Sequence, residues 1–350
     1  MNAYSEPLQF DGGEDGVDVS RDDLYIALDE ALNLLLGRSI DTIIPAGMYV
    51  DDVHPVAMYG GAVYGSSLYA STDDYLQLVD QLNEDHVVSY HERLIEFCRG
   101  QMELGYVSHG VIGLRTIKNL TDTIEYDNSY IHRLVTATAF RDRYGLMEYI
   151  NGRWLDKGQY ISIVSSEVLY NEGEDDEYYD NGAVAYAALL TGRYDTTTNM
   201  KIAIPALRYE LSDESIADLS KLGVVTFRDS PRNGLVVASG VTAAHWESEL
   251  HDIANVRMIQ LTIAHMNDVI LKIYEAELDP AIRRMYTEDK VKNRLSQLRQ
   301  DEIITEYTYA VEYDGTSSEG VISLNLQTKY TVEGVGTSAS VRYTGVESGV

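Results

Sequence analysis

Eight histidines, one cysteine and an excess of acids are the groups in this 350-residue chain that could carry chemistry. His86 and His91 are five residues apart, whereas two metal ligands on one helical face sit at i and i+4. They read as exposed helix or loop residues, and His132 and His265 as packed residues within helical patterns. Adjacent carboxylates occur at Asp51-Asp52, at Asp73-Asp74 and from Glu174 to Glu177. Paired carboxylates can hold a divalent cation or share acid and base roles. In a chain with 56 acidic residues, such neighbours also arise from composition. Asp73-Asp74 follows Ser71-Thr72 and fits a helix start. Gly60, Gly61 and Gly65 lack both the dinucleotide-binding spacing and a phosphate-loop lysine, so they predict a turn. There is no GxSxG nucleophile elbow. Cys98, alone in a helical pattern, can form no internal disulfide and reads as a small buried apolar residue. No catalytic residue, metal ligand or cofactor site is expected.

The elements that would position any site alternate. Val19 to Gly37 predicts a helix, with Ser20 as its cap, Leu24, Leu28, Leu32 and Leu35 on one face, and Gly37 as its stop. A short strand follows at 39–47, then a Gly- and Tyr-rich loop. Helices are expected over Asp73–Asn83 and Ser89–Leu104, a strand at 107–117, a long helix at 129–150 and a strand at 158–170. The acidic stretch 171–181 reads as a loop into a small-residue helix at Ala183. Next come a Pro-marked strand at 200–207, a capped helix at 211–223 and two short strands around a turn over 224–244. This alternation predicts an α/β unit with a largely parallel sheet over 20–245, preceded by an arm at 1–19. From 246 to 332 the pattern changes to α+β: two long helices, then strands near Glu306–Tyr313 and Gly320–Tyr330. An extended arm is expected over 333–350, with one further strand candidate at Ala339–Tyr343.

Charge narrows the partners. The formal net charge is −29, which disfavours nucleic acid and anionic membrane surfaces. No apolar run reaches the roughly 20 residues of a membrane-spanning helix, and the N-terminus lacks the basic start and apolar centre of a secretory signal. Against this acidic background, 280–300 carries Arg283, Arg284, Lys290, Lys292, Arg294 and Arg299 with only Glu288 and Asp289, a local charge of +4. It is either a solvated face paired with the chain's own acids or a docking face for an acidic partner. The alternating stretch 320–334 is either the last strand of its own sheet or leads into a tail donated to a neighbour's sheet edge.

Five segments together resemble the C-terminal half of contractile tail sheath proteins of bacteriophages and related injection systems. They are Gly182–Leu190, LSDESIADLSKLGVVTFR at 211–228, GLVVASGVTAA at 234–244, IANVRMIQLTIAHMNDVI at 253–270 and LSQLRQDEIITEYTYAVEYD at 295–314. In the fourth, Asn255, Val256 and Arg257 match a similar Asn, Val and Arg run of the family before a long helix. The resemblance implies a tail-sheath-like α/β core with a C-terminal α+β part and extended terminal arms. It implies a structural subunit, not an enzyme, that polymerises as stacked hexameric rings around a tail tube and contracts to drive the tube through a host envelope. The implied partners are further copies of the chain, the tube protein, and baseplate and tail terminator proteins; the implied location is a virion tail assembled in the host cytoplasm. YSEPLQFDGGEDG departs from the Pro-Gly-Val-Tyr start usual in the family. A different tail or connector assembly protein, or an acidic α/β hydrolase, are the alternative readings.

Overall fold

The computed structural model describes residues 21–49, 90–114, 146–150, 153–171, 173, 178–195, 197–208, 210–275, 280–313, 319–330 and 337–344. The expected N-terminal arm, Ser20, Asp51-Asp52, the glycine-rich loop, the helix at Asp73–Asn83, His86, His132 and the acids Glu174 to Glu177 lie outside these residues.

Four parallel strands form the centre, in the order β1 (Thr42–Ile43), β2 (His109–Gly113), β5 (Ile161–Val164) and β8 (Val224–Val225). Every residue of β2, β5 and β8 is buried, as expected of a parallel sheet covered on both faces. Alternation along each strand sorts the side chains. Ile112, Ile161, Ile163 and Val224 join one core with Leu28 and Leu32 of α1 (Arg21–Leu35) and Leu94, Ile95, Phe97 and Cys98 of α2 (Tyr90–Glu103). Val111, Val164 and Val225 join the other, with Ala183, Tyr186, Ala187 and Leu190 of α3 (Ala183–Leu190). Arg93 of α2, ion-paired with Asp29, fastens α2 to α1. Gly37, at φ +75°, ends α1 where the sequence places its stop. Helix α4 (Asp213–Lys221) begins as expected, with the Ser212 hydroxyl accepting from the Ser215 amide at 3.1 Å.

Several expected elements differ. The end of the long helix expected at 129–150 is a strand, β3 (Met147–Ile150), paired antiparallel with β4 (Arg153–Asp156); 115–145 lies outside the described residues. The intervening Asn151-Gly152 is a hairpin signal that outweighs the helical pattern. The strand expected at 158–170 divides. A 3₁₀ turn at Lys157–Tyr160, capped by Asp156, leads into β5, and the chain leaves the sheet at Ser165-Ser166. There the Ser166 hydroxyl takes the Phe227 amide at 2.9 Å, and β6 (Glu167–Tyr170) pairs instead with β7 (Tyr178–Asn181). The acidic stretch therefore ends in a strand. The segment 200–207 makes only isolated bridges, Lys201 to Val236 and Leu207 to Val168, and Pro205 between them has no N–H to give. The strands expected after 224 are β8 and an antiparallel hairpin of β9 (Phe227–Ser230) and β10 (Gly234–Val237).

Beyond this sheet, α5 (Ile253–Glu275) and α6 (Pro280–Gln300) form a helical hairpin. It packs on a meander of order β11 (Glu306–Tyr313), β12 (Glu319–Gln327) and β13 (Thr337–Thr344). Ile322, Leu324 and Leu326 face Ile259, Ile263, Val291 and Leu295 in a third core. The strand candidate at Ala339–Tyr343 is β13, and Thr337–Thr344 closes the chain's own sheet against β12 within the stretch expected as an arm. That leaves β11 and β13 as the two edges of this sheet among the described residues.

Gly158 tests how tightly the layers meet. A Cβ there would lie 2.0 Å from the Ala243 carbonyl oxygen, a backbone atom that cannot turn aside. Gly158→Ala is expected to cost about 2–3 kcal/mol by urea unfolding. Gly47→Ala, at φ +79° in open space, should cost about 1 kcal/mol. Equal costs would contradict the packing.

Candidate functional site

The basic segment is helix α6. Val291, Leu295 and Leu298 bury one side of it against α5 and the meander. Lys292 and Arg299 are exposed on the other, and Lys290 lies over the Tyr286 ring with its amine 4.8 Å from the centroid. Arg294 turns inward. One of its Nη atoms donates to His265 Nδ1 and the other to Gln297 Oε1, each at 2.7 Å. Burial, then the Arg294 charge, lowers the His265 pKa, which keeps the imidazole an acceptor. The side chains of Arg283 and Arg284 lie outside the described residues. At the start of the helix Ile282, Met285 and Tyr286 are exposed, Met285 by 75%, and α5 exposes Leu271. The six basic residues thus share one helix, with apolar side chains open beside them.

The structure also holds a buried charged centre that the sequence does not reveal. Arg257, near the start of α5, is 0% exposed. Its Nη2 pairs with Asp41 Oδ1, Nε donates to the Arg193 carbonyl at 3.1 Å and Nη1 reaches Gln260 Oε1 at 3.4 Å. The guanidinium lies 4.8 Å from the Tyr194 ring centroid. Asp41 Oδ2 in turn accepts from the Gly192 amide at 2.7 Å. His109 of β2 is close by, its Nε2 3.0 Å from the Ser162 hydroxyl, which itself donates to the Val241 carbonyl. Burial and then Arg257 lower the His109 pKa to about 3, so this imidazole stays neutral. Two residues earlier in α5, Asn255 donates to the Glu249 carbonyl and accepts from the Thr328 hydroxyl at 2.7 Å, tying α5 to the end of β12. The one sequence signal for the centre is a cation inside the apolar run IANVRMIQL. Its acceptor is 216 residues away.

Cys98 is buried in the first core, and burial pushes its thiol up to about 12, far from a nucleophile's range. Among the described residues, no group of three or more His, Cys, Asp or Glu is placed to hold a metal ion, and no helix is long and apolar enough to cross a membrane.

With this geometry in place, comparison with solved structures identifies the fold. No protein-family model matches the sequence, and no curated protein matches it. The fold matches the sheath tail protein of Listeria innocua with a TM-score of 0.51 at 11% identity, over 78% of this chain and 60% of that one. The sheath tail protein of Desulfitobacterium hafniense gives 0.48 at 12% identity, over 79% and 60%. The contracted sheath complex of an extracellular contractile injection system gives 0.44 at 10%, over 99% and 95%. The chain shares the α/β fold of the Listeria innocua sheath tail protein and spans 60% of that chain's length.

Two titrations check the buried groups. Because the folded His109 pKa lies below the ordinary 6.5, the unfolded chain binds the extra proton between about pH 6.5 and 3. Stability from this residue is complete above that window and falls by roughly 1.4 kcal/mol per pH unit within it. The His109 NMR signal should not titrate between pH 8 and 4.5; a midpoint near 6.5 would refute the buried assignment. The Cys98 thiol should react with a disulfide reagent at pH 8 at least about a hundredfold more slowly in native protein than in urea.

Proposed function

We propose that this chain is a structural, non-catalytic subunit of a contractile tail sheath, polymerising as stacked hexameric rings around a tail tube. The observation that carries the proposal is the fold shared with the Listeria innocua sheath tail protein. The five sheath-like segments of the sequence agree with it.

In this reading α6 is the docking face. A +4 helix in a chain of −29 is attracted to an acidic surface, either of a neighbouring copy or of the tube, and repelled by few others. Such complementarity sets register and orientation more than raw affinity. Lys292, Arg299 and Lys290 supply the charge, on the two flanks of the apolar stripe, and Arg283 and Arg284 add to it in the sequence of the same helix. Met285, Ile282 and Tyr286 supply apolar area that a docked partner would remove from water. A link between subunits could pair a neighbour's strand at the β11 or β13 edge of this sheet. Contraction would draw on energy stored in the polymer, with no nucleotide consumed, and the remaining partners would be baseplate and terminator proteins.

Electron microscopy of the purified protein, alone and with a tube protein, should show hollow cylinders built of stacked rings. Persistent monomers under both conditions would overturn the proposal. The double variant Lys290→Glu/Lys292→Glu should shorten or abolish the cylinders at low salt while leaving the monomer's unfolding curve unchanged. Cylinders of wild-type length would remove α6 from the interface.

A further inference from the structure

Three distant parts of the chain converge on one turn, residues 192–195, that follows α3. The Gly192 amide donates to Asp41, the Arg193 carbonyl accepts from Arg257 and the Tyr194 ring lies beside its guanidinium. Asp195 is 3.5 Å from the Lys329 amine, just past the end of β12. Asp41 directly precedes β1, one of the two end strands of the parallel sheet among the described residues. That strand is short: it holds β2 through the pairs Thr42–His109 and Ile43–Gly110, and both its residues are only half-buried. Much of what keeps β1 in place is therefore the set of bonds Asp41 makes to Arg257, to Gly192 and, through its carbonyl, to the His109 amide at 3.0 Å.

These bonds cannot open one at a time without penalty. Arg257 is wholly buried, so losing its carboxylate leaves an unpaired charge in a low-dielectric interior. Its planar, five-donor head serves acceptors in several directions at once, which a lysine cannot reproduce. We propose that Arg257 and the 192–195 turn form a cooperative clasp that makes the seating of edge strand β1 depend on the seating of α5 and the meander. Displacing α5 withdraws the guanidinium, Asp41 and the turn lose their shared partner, and β1 is released from β2. The clasp works within one chain and needs no assembly.

Hydrogen exchange followed by mass spectrometry on the full chain tests this. Arg257→Lys and Asp41→Asn should each speed exchange at least about tenfold in peptides covering 38–44 and 190–195, with α4 and the β9–β10 hairpin unchanged. Lys329→Ala, at the solvent-exposed end, should loosen 190–195 without unfolding the protein. Should Arg257→Lys fail to fold, the other two variants decide. Unchanged exchange at 38–44 in Asp41→Asn, or a uniform rise over every element, would overturn the clasp.

Discussion

A guanidinium with no access to water must be met by acceptors wherever it lies, and Arg257 imposes that condition on this fold. Asp41 must arrive from the sheet's first edge, the Arg193 carbonyl from the turn after α3, and Gln260 from the next turn of α5 itself. Each is held in place by something else: α3 by its small-residue face on the sheet, and α5 by the third core. The ion pair gains little net stability over an apolar replacement, because desolvation offsets attraction. What it supplies is orientation. Hydrophobic clusters tolerate a range of packings, whereas a buried fork with fixed acceptors does not.

The parallel sheet provides the complementary constraint. Its strands are apolar on both faces, so a helical layer must cover each side, and β2, β5 and β8 sort their side chains into two separate cores. Two polar side chains bridge the sheet to the surrounding chain. Ser162 joins His109 to the Val241 carbonyl, and Asn181 bonds the carbonyls of Leu114 and Val164 at 3.0 and 2.8 Å, closing the end of the sheet above α3. The Ser162 contact connects the sheet to the segment that leads into α5, so the helical hairpin is anchored to a deeply buried part of the molecule.

Where one face of an element is wet, the sequence was informative. Helices α1, α4, α5 and α6 and strand β12 all announce themselves through periodicity, caps or alternation, and the basic character of α6 is plain from composition. Where a decision depended on a partner elsewhere, it was not. The pattern around Met147 suits a helix until Asn151-Gly152 is given its full weight. Ser165-Ser166 ends β5 because the Phe227 amide needs an acceptor, and Phe227 lies 61 residues away. Ala339–Tyr343 reads as a short strand candidate inside a small-residue arm, and only the pairing with β12 extends it to the full ladder of Thr337–Thr344. Arg257 was visible as part of a motif but not as a centre, since neither Asp41 nor the 192–195 turn is near it in sequence.

The contacts described for α6 fasten its cations without cancelling them. Arg294 is gripped by a neutral imidazole and an amide, and Lys290 by the face of a phenol ring, and none of these carries a negative charge. A carboxylate in any of those places would hold the side chain equally well and extinguish its field. At these two positions the helix is built like a charged rail mounted on insulators: Arg294 and Lys290 are fixed in direction while their potential stays available to whatever approaches from outside.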